Sequence, residues 1–180
     1  MTRVIAGKRK GLILHNPKDK SIRPTTDRVK EWIFSVLHDV NDLRMLDLFC
    51  GAGNLGIEGL SRGAESCVFV DRTNNAVNLT LKNLEESKFL DSAAVKRSDV
   101  FDYLDSTKSK FHLVFADPPY KFKRMYQLLE SAENVLLNGG RIFIESGHTV
   151  NTGPSPGLEF IRQESLGTTV ITIFGKINNA

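Results

Sequence analysis

From residue 44 onward short apolar runs alternate with helical segments, and this alternation limits the possible folds more than any other feature of the chain. RMLDLFC predicts a strand and NLGIEGLSRG a helix; SCVFVD predicts a second strand, with a helix over residues 73–87. AAVKRS is a weaker third strand, and a short helix begins near Asp99. FHLVFA is a fourth strand, residues 123–137 a helix, and GRIFIES a fifth strand. Strands joined by crossover helices imply a mostly parallel sheet with helices on both faces. After the loop NTGPSPG, the runs LEFIRQES and TTVITIFGK are separated only by Leu-Gly, too little for a helix. The expectation is an α/β fold whose seven-stranded sheet ends in an antiparallel hairpin.

The first 43 residues read differently. RVIAG and GLILH, split by a basic turn, predict a short β-hairpin. NPKDKSIRP is loop. Thr25-Thr26-Asp27 offers a helix cap, and Val29, Ile33, Val36 and Leu37, with Trp32 beside them, recur at helical spacing over residues 26–38. Residues 1–43 are therefore expected to form a basic hairpin-plus-helix extension on a domain of residues 44–180. Residues 1–38 hold nine Lys/Arg against three acids, although the whole chain carries only +3. Such an arm suits a polyanion, or serves as a solvated terminus; charge leaves both open.

Composition excludes several classes. With 41% hydrophobic and 25% charged residues in 180, the chain can bury a core as one ordinary domain. No apolar run approaches the roughly 20 residues that span a bilayer, and the N-terminus lacks a secretory signal, so no membrane partner and a cytoplasmic location are expected. Cys50 and Cys67 sit in apolar contexts and read as buried thiols. His15, His38, His112 and His148 form no zinc pattern, and no metal is expected.

Two stretches carry chemistry. After the first core strand comes Gly51-Ala52-Gly53-Asn54-Leu55-Gly56, formally G-x-G-x-x-G, which permits a tight strand-to-helix turn and close approach to a ligand. Asp47 lies near the end of that strand, and Asp71 ends the next, where a carboxylate can accept from both ribose hydroxyls of an adenosyl group. Asp99 follows the third strand and suits either an adenine amino group or a helix N-cap. To this point a nicotinamide dinucleotide and S-adenosylmethionine fit equally well.

The second stretch, Asp117-Pro118-Pro119-Tyr120, leaves the fourth strand beside the first. In a doubly wound sheet ligands sit beyond the carboxyl ends of the strands, so this loop and the glycine loop face one crevice. Two prolines stiffen the backbone and hold the Asp117 carboxylate and the Pro118 carbonyl as fixed acceptors. Two acceptors aimed at one point suit an exocyclic NH2 group, and Tyr120 offers a face on which its base stacks. Hydrogen bonds to both N–H groups free a lone pair that is otherwise delocalised into the ring. Positioning against an electrophilic methyl then lowers much of the barrier without a metal.

DLFCGAGNLG together with FADPPY resembles the class I S-adenosylmethionine-dependent amino-methyltransferases. RVIAGKRKGLIL, IRPTTDRVKEWIFSVL, LSRGA and NGGRIFIE extend the likeness over residues 3–146 to the bacterial RsmD-type enzymes, which methylate N2 of a guanine in 16S ribosomal RNA. The resemblance implies a Rossmann-like class I fold, S-adenosyl-L-methionine as cofactor with S-adenosyl-L-homocysteine as product, and a guanine of the 966 type as target. It implies 16S rRNA in the 30S subunit or an assembly intermediate as partner, and a monomer. By position, Asp117, Pro118, Pro119 and Tyr120 would hold the guanine, and Asp47, Phe49, Gly51, Gly53, Asp71, Arg72, Asp99 and Val100 the cofactor. Arg23, Pro24, Thr25 and Arg28 would lie near the cofactor and the RNA, and the charges of Lys8, Arg9 and Lys10 on the basic arm are expected to meet the RNA. Lys121, Lys123 and Arg124 suit phosphate contacts or a plain solvated helix start. Alternatives are a DNA adenine-N6 methyltransferase, a non-catalytic RNA-binding or assembly factor, and a NAD-linked reductase. The last leaves the DPPY loop and the basic arm unexplained.

Overall fold

The computed structural model describes residues 2–16, 26–150 and 155–178. Arg23, Pro24 and Thr25 lie outside the described residues. The N-terminal hairpin is reduced to β1 (Thr2–Arg3) and β2 (Ile13–Leu14), paired antiparallel, with a 3-10 turn at Gly7–Arg9 between them. Helix α1 (Asp27–Leu37) begins where the cap signal predicts: Val29 N–H donates to Thr26 Oγ1 at 3.3 Å.

The remaining elements alternate as expected: β3 (Arg44–Leu48), α2 (Asn54–Ser61), β4 (Ser66–Asp71), α3 (Asn74–Ser87), β5 (Ala93–Arg97), α4 (Val100–Ser106), β6 (Phe111–Ala116), α5 (Met125–Val135), β7 (Leu136–Ser146), β8 (Leu158–Leu166) and β9 (Thr169–Lys176). The seven-stranded sheet has the order β5-β4-β3-β6-β7-β9-β8. Strands β5 to β7 run parallel, and β9 pairs antiparallel with both β7 and β8. The β8–β9 turn is Gly167-Thr168, since Leu166 pairs with Thr169. A bulge between Phe160 and Arg162 interrupts the outermost strand, β8.

Alternation along the strands divides the core in two, because successive side chains point to opposite faces. Met45, Phe69, Leu113, Phe115 and Phe143 pack with Leu55, Ile57, Leu60 and Leu84 of α2 and α3. Leu46, Leu48, Val70, Val114, Ile142 and Ile144 pack with Val100, Leu104, Leu128 and Leu129 of α4 and α5. The expected helix over 123–137 ends earlier: Leu136 leaves α5 and pairs with Phe111, and residues 137–140 of β7 then bulge before Arg141 pairs with Leu113.

The extension is built into the first core. Val4, Leu14, Val29, Ile33, Phe34 and Val40 share one cluster with Met45 and Ile57. Its basic character is also reduced. Lys30, counted among the arm's cations, is fully buried; its ammonium donates to the Arg3 carbonyl and lies 3.5 Å from Asp27. Burial lowers its pKa, with Glu58 and Asp27 opposing. Helix α1 thus buries Lys30 and Phe34 beside Val29 and Ile33, while Val36 and Leu37 are only partly covered.

Glu58, fully buried in α2, fastens the arm. Its carboxylate accepts from Ile5 N–H (2.7 Å), Ala6 N–H (3.1 Å) and Arg62 Nε (2.7 Å). Replacing it with alanine orphans two peptide donors and a guanidinium, at roughly 1–3 kcal/mol for each unsatisfied group. Glu58→Ala is therefore expected to lose about 3 kcal/mol in urea unfolding, and limited proteolysis should cut the arm first.

Candidate active site

Strand β3 is flanked by β4 on one side and β6 on the other, so the sheet reverses its winding beside it. A crevice of about 1220 Å³ opens there at the carboxyl ends of the strands. Ligands of open α/β sheets bind at such a switch point.

The glycine loop forms one wall and is held through its peptide groups. Gly51 N–H donates to Asp71 Oδ2 (3.1 Å), and Gly51 C=O accepts from Thr80 Oγ1 (3.0 Å). Ala52 C=O accepts from Asn83 Nδ2 (2.9 Å), and Gly56 N–H donates to Asp47 Oδ2 (3.0 Å). Gly51 and Gly53 adopt φ of +55° and +77°, where a side chain would be strained. Gly56 serves a different need: a Cβ there would lie 2.2 Å from the Phe69 ring, so only glycine lets α2 seat this close to the sheet. Phe49, a bulky residue at φ +57°, carries strain of order 1–3 kcal/mol in the turn. Its ring meets Phe122 edge-on at 5.5 Å, Phe122 stacks with Phe101 at 6.3 Å, and the Arg124 guanidinium lies 3.8 Å above Phe101. These rings make an apolar slot on the side of the crevice where Asp99 and Val100 begin α4.

Carboxylates supply the polar groups. Asp71 Oδ1 accepts from Thr73 N–H (2.9 Å) and Thr73 Oγ1 (3.0 Å), so its carboxylate fixes both the glycine loop and the start of α3. Asp99 caps α4 by accepting from Phe101 N–H at 2.9 Å and also lines the crevice. Asp47 is 4% exposed, and burial raises its pKa to about 7 against the opposing Gly56 N–H, with the Asp71 charge adding to the rise. Asp117, immediately after β6, is pushed well above the ordinary carboxylate range by burial first, then by the charges of Glu145 and Asp47. Pro118 is buried; Pro119 C=O accepts from Phe122 N–H at 2.8 Å and closes the turn. Tyr120 is 59% exposed, with its ring against the bare backbone of Gly147, where a Cβ would fall 2.6 Å from it. An apolar slot flanked by carboxylate acceptors is a lining of the kind that S-adenosylmethionine would fit.

The crevice brings together Asp47, Phe49, Gly51, Asp71, Arg72, Asp99, Val100, Asp117, Pro118, Pro119, Tyr120 and Arg124. Gly53 lies behind it as the N-cap of α2. Lys8, Lys10, Arg28, Lys121 and Lys123 are exposed outside it. Arg9 is committed elsewhere: its Nε donates to Ser87 C=O at 2.7 Å, and its guanidinium sits 6.0 Å from the Phe89 ring centre. That bond ties the arm to the end of α3. Arg124, exposed and stacked on Phe101 with Nε donating to Gln127 at 2.8 Å, stands at the lip of the slot. Sequence reasoning missed Asn54, Phe101, Phe122 and Glu145, all in the crevice wall. Glu145 was the one within reach, since the strand GRIFIES ends beside the DPPY strand.

Residues 2–175 match the family described as conserved hypothetical protein 95. YlbH of Bacillus subtilis (strain 168) is 39% identical over 181 residues, covering 97% of this chain and 98% of the relative. Ribosomal RNA small subunit methyltransferase D of Escherichia coli (strain K12) is 35% identical over 139 residues, covering 77% of this chain and 68% of the relative. The solved structure of yhhF from Escherichia coli is similar with a TM-score of 0.87 at 27% identity, covering 97% of each chain.

Asp47 links this site to stability. Its folded pKa of about 7 exceeds the ordinary value near 4, so its contribution falls as pH rises between the two and is level above. Asp47→Asn keeps an acceptor for Gly56 N–H and removes that loss. In urea unfolding at a series of pH values, the variant should match the wild type near pH 4 and exceed it by up to about 4 kcal/mol above pH 7.

Proposed function

Because this chain belongs to the conserved hypothetical protein 95 family, that of the RsmD-type enzymes, we propose that it is an S-adenosylmethionine-dependent methyltransferase of small-subunit ribosomal RNA. Its fold is the class I methyltransferase fold. The reading is carried by one observation: the Asp117–Tyr120 loop and the pinned glycine loop face each other across a single crevice. The substrate class is supported by the E. coli relative named Ribosomal RNA small subunit methyltransferase D. The finer reading is transfer to N2 of a guanine of the 966 type in 16S RNA, within the 30S subunit or an assembly intermediate, by a cytoplasmic monomer. No helix among the described residues is long and apolar enough to cross a membrane.

S-adenosylmethionine, when bound, supplies a methyl made electrophilic by its sulfonium. The chain's own part is positioning and charge. Asp71 holds the ribose, and Asp99 with Phe49, Phe101 and Phe122 encloses the adenine. The target base stacks on Tyr120, while Asp117 and the Pro118 carbonyl accept from its two amino hydrogens and leave the nitrogen lone pair facing the methyl. The high proton affinity of Asp117 suits it to take the proton that the nitrogen sheds after transfer. Lys8, Lys10, Arg28, Lys121 and Lys123 meet phosphates, and Arg23 and Thr25 are further RNA contacts.

Purified protein with labelled cofactor should methylate 30S subunits from cells lacking the enzyme, with the label in guanine; label only in adenine of duplex DNA would overturn the reading. Asp117→Ala should lower kcat by about 100-fold or more with product binding retained. Asp71→Ala should chiefly weaken cofactor binding. Since Asp117 must be ionised to accept, the rate should fall as pH drops, through a limb above the ordinary carboxylate range. Glu145→Gln should move that limb toward acid, because the Glu145 charge helps to raise Asp117.

A further inference from the structure

A grip on an exocyclic amino group does not by itself choose the base, because adenine and guanine both carry one. The ring position beside that group differs. Guanine N1 bears a hydrogen and donates, whereas adenine N1 is a lone pair that accepts. Bases presented singly in a pocket are read along this edge. A side chain that reads N1 must stand next to the one that holds the amino hydrogens, and the end of β7 supplies it.

Strand register and side-chain alternation place that residue. Ala116 pairs with Ile144, so Asp117 and Glu145 come next as neighbours on adjacent parallel strands, roughly 4.8 Å apart. Phe115 and Phe143 belong to the same core, and two residues further on Asp117 and Glu145 therefore leave the same face of the sheet. Both line the crevice, and Glu145 is partly exposed. The Tyr120 ring lies against Gly147, two residues beyond Glu145, so a base stacked on that ring has the end of β7 at its edge. Burial and then the Glu145 charge raise the pKa of Asp117, as two carboxyls at close range do. An ionised carboxyl only accepts: it complements an N–H and repels a lone pair.

We propose that Glu145 accepts a hydrogen bond from N1–H of the target base and so selects guanine over adenine. The inference rests on the guanine reading above, and 2-aminopurine separates the two. That base keeps the 2-amino group but has a lone pair at N1 in place of the hydrogen. 30S subunits rebuilt around 16S RNA with 2-aminopurine at the methylated position are compared with unaltered subunits. The readout is kcat/KM with labelled cofactor, above the acid limb of the rate. The wild type should prefer guanine by about tenfold or more, as for a hydrogen bond to a charged group. Glu145→Gln, whose amide donates as readily as it accepts, should lose rate on guanine but not on 2-aminopurine, narrowing the preference by about tenfold. A wild type that methylates both bases alike overturns the assignment without any variant. So does a Glu145→Gln that loses equally on both, which is the signature of a structural role. A wild type that leaves the guanine of unaltered subunits unmethylated overturns the guanine reading itself, and the inference with it.

Discussion

The site depends on how the turn between β3 and α2 satisfies its own peptide groups. A tight turn at the end of a parallel strand has left one ladder and not yet entered the helix, so its N–H and C=O groups need partners from elsewhere. Here they are side chains from three elements: Asp47 on β3, Asp71 on β4, and Thr80 and Asn83 on α3. A loop fixed in this way needs little reorganisation to receive a ligand. That rigidity lets Phe49 remain in an unfavourable backbone region with its ring directed at Phe122.

The same bonds couple distant segments. Asn83 accepts from His15 N–H at 2.8 Å and donates to His15 C=O at 3.0 Å, while also holding Ala52. One buried amide therefore joins the N-terminal arm to the glycine loop. Charge is partitioned around this frame. The crevice carries Asp47, Asp71, Asp99, Asp117 and Glu145 against Arg72, Lys82 and Arg124, whereas Lys8, Lys10, Arg28, Lys121 and Lys123 are exposed outside it. An acidic interior with a basic exterior suits a cationic cofactor inside and a polyanion outside.

Most of the architecture was legible because it rests on local pattern. Strand runs, helical spacing, the caps at Thr26 and Asp99, and the glycine and DPPY loops are all short-range signals. What escaped depends on partners far along the chain. Lys30 reads as a surface cation until the Arg3 carbonyl and Glu58 are brought beside it. Arg9 reads as a phosphate contact alone, yet its Nε also bonds Ser87 C=O, far along the chain. The end of α5 was misplaced because Leu136 is taken up by a pairing with Phe111, 25 residues earlier in the chain.

The strand order has a consequence for assembly of the molecule. Strand β9 is last in sequence yet lies between β7 and β8. Until it arrives, β8 has no neighbour in the sheet and β7 is an open edge, the kind that pairs with other chains. During vectorial synthesis the parallel half, with its crevice, can therefore assemble ahead of the antiparallel end. The interval before β9 inserts leaves the β7 edge open to other chains.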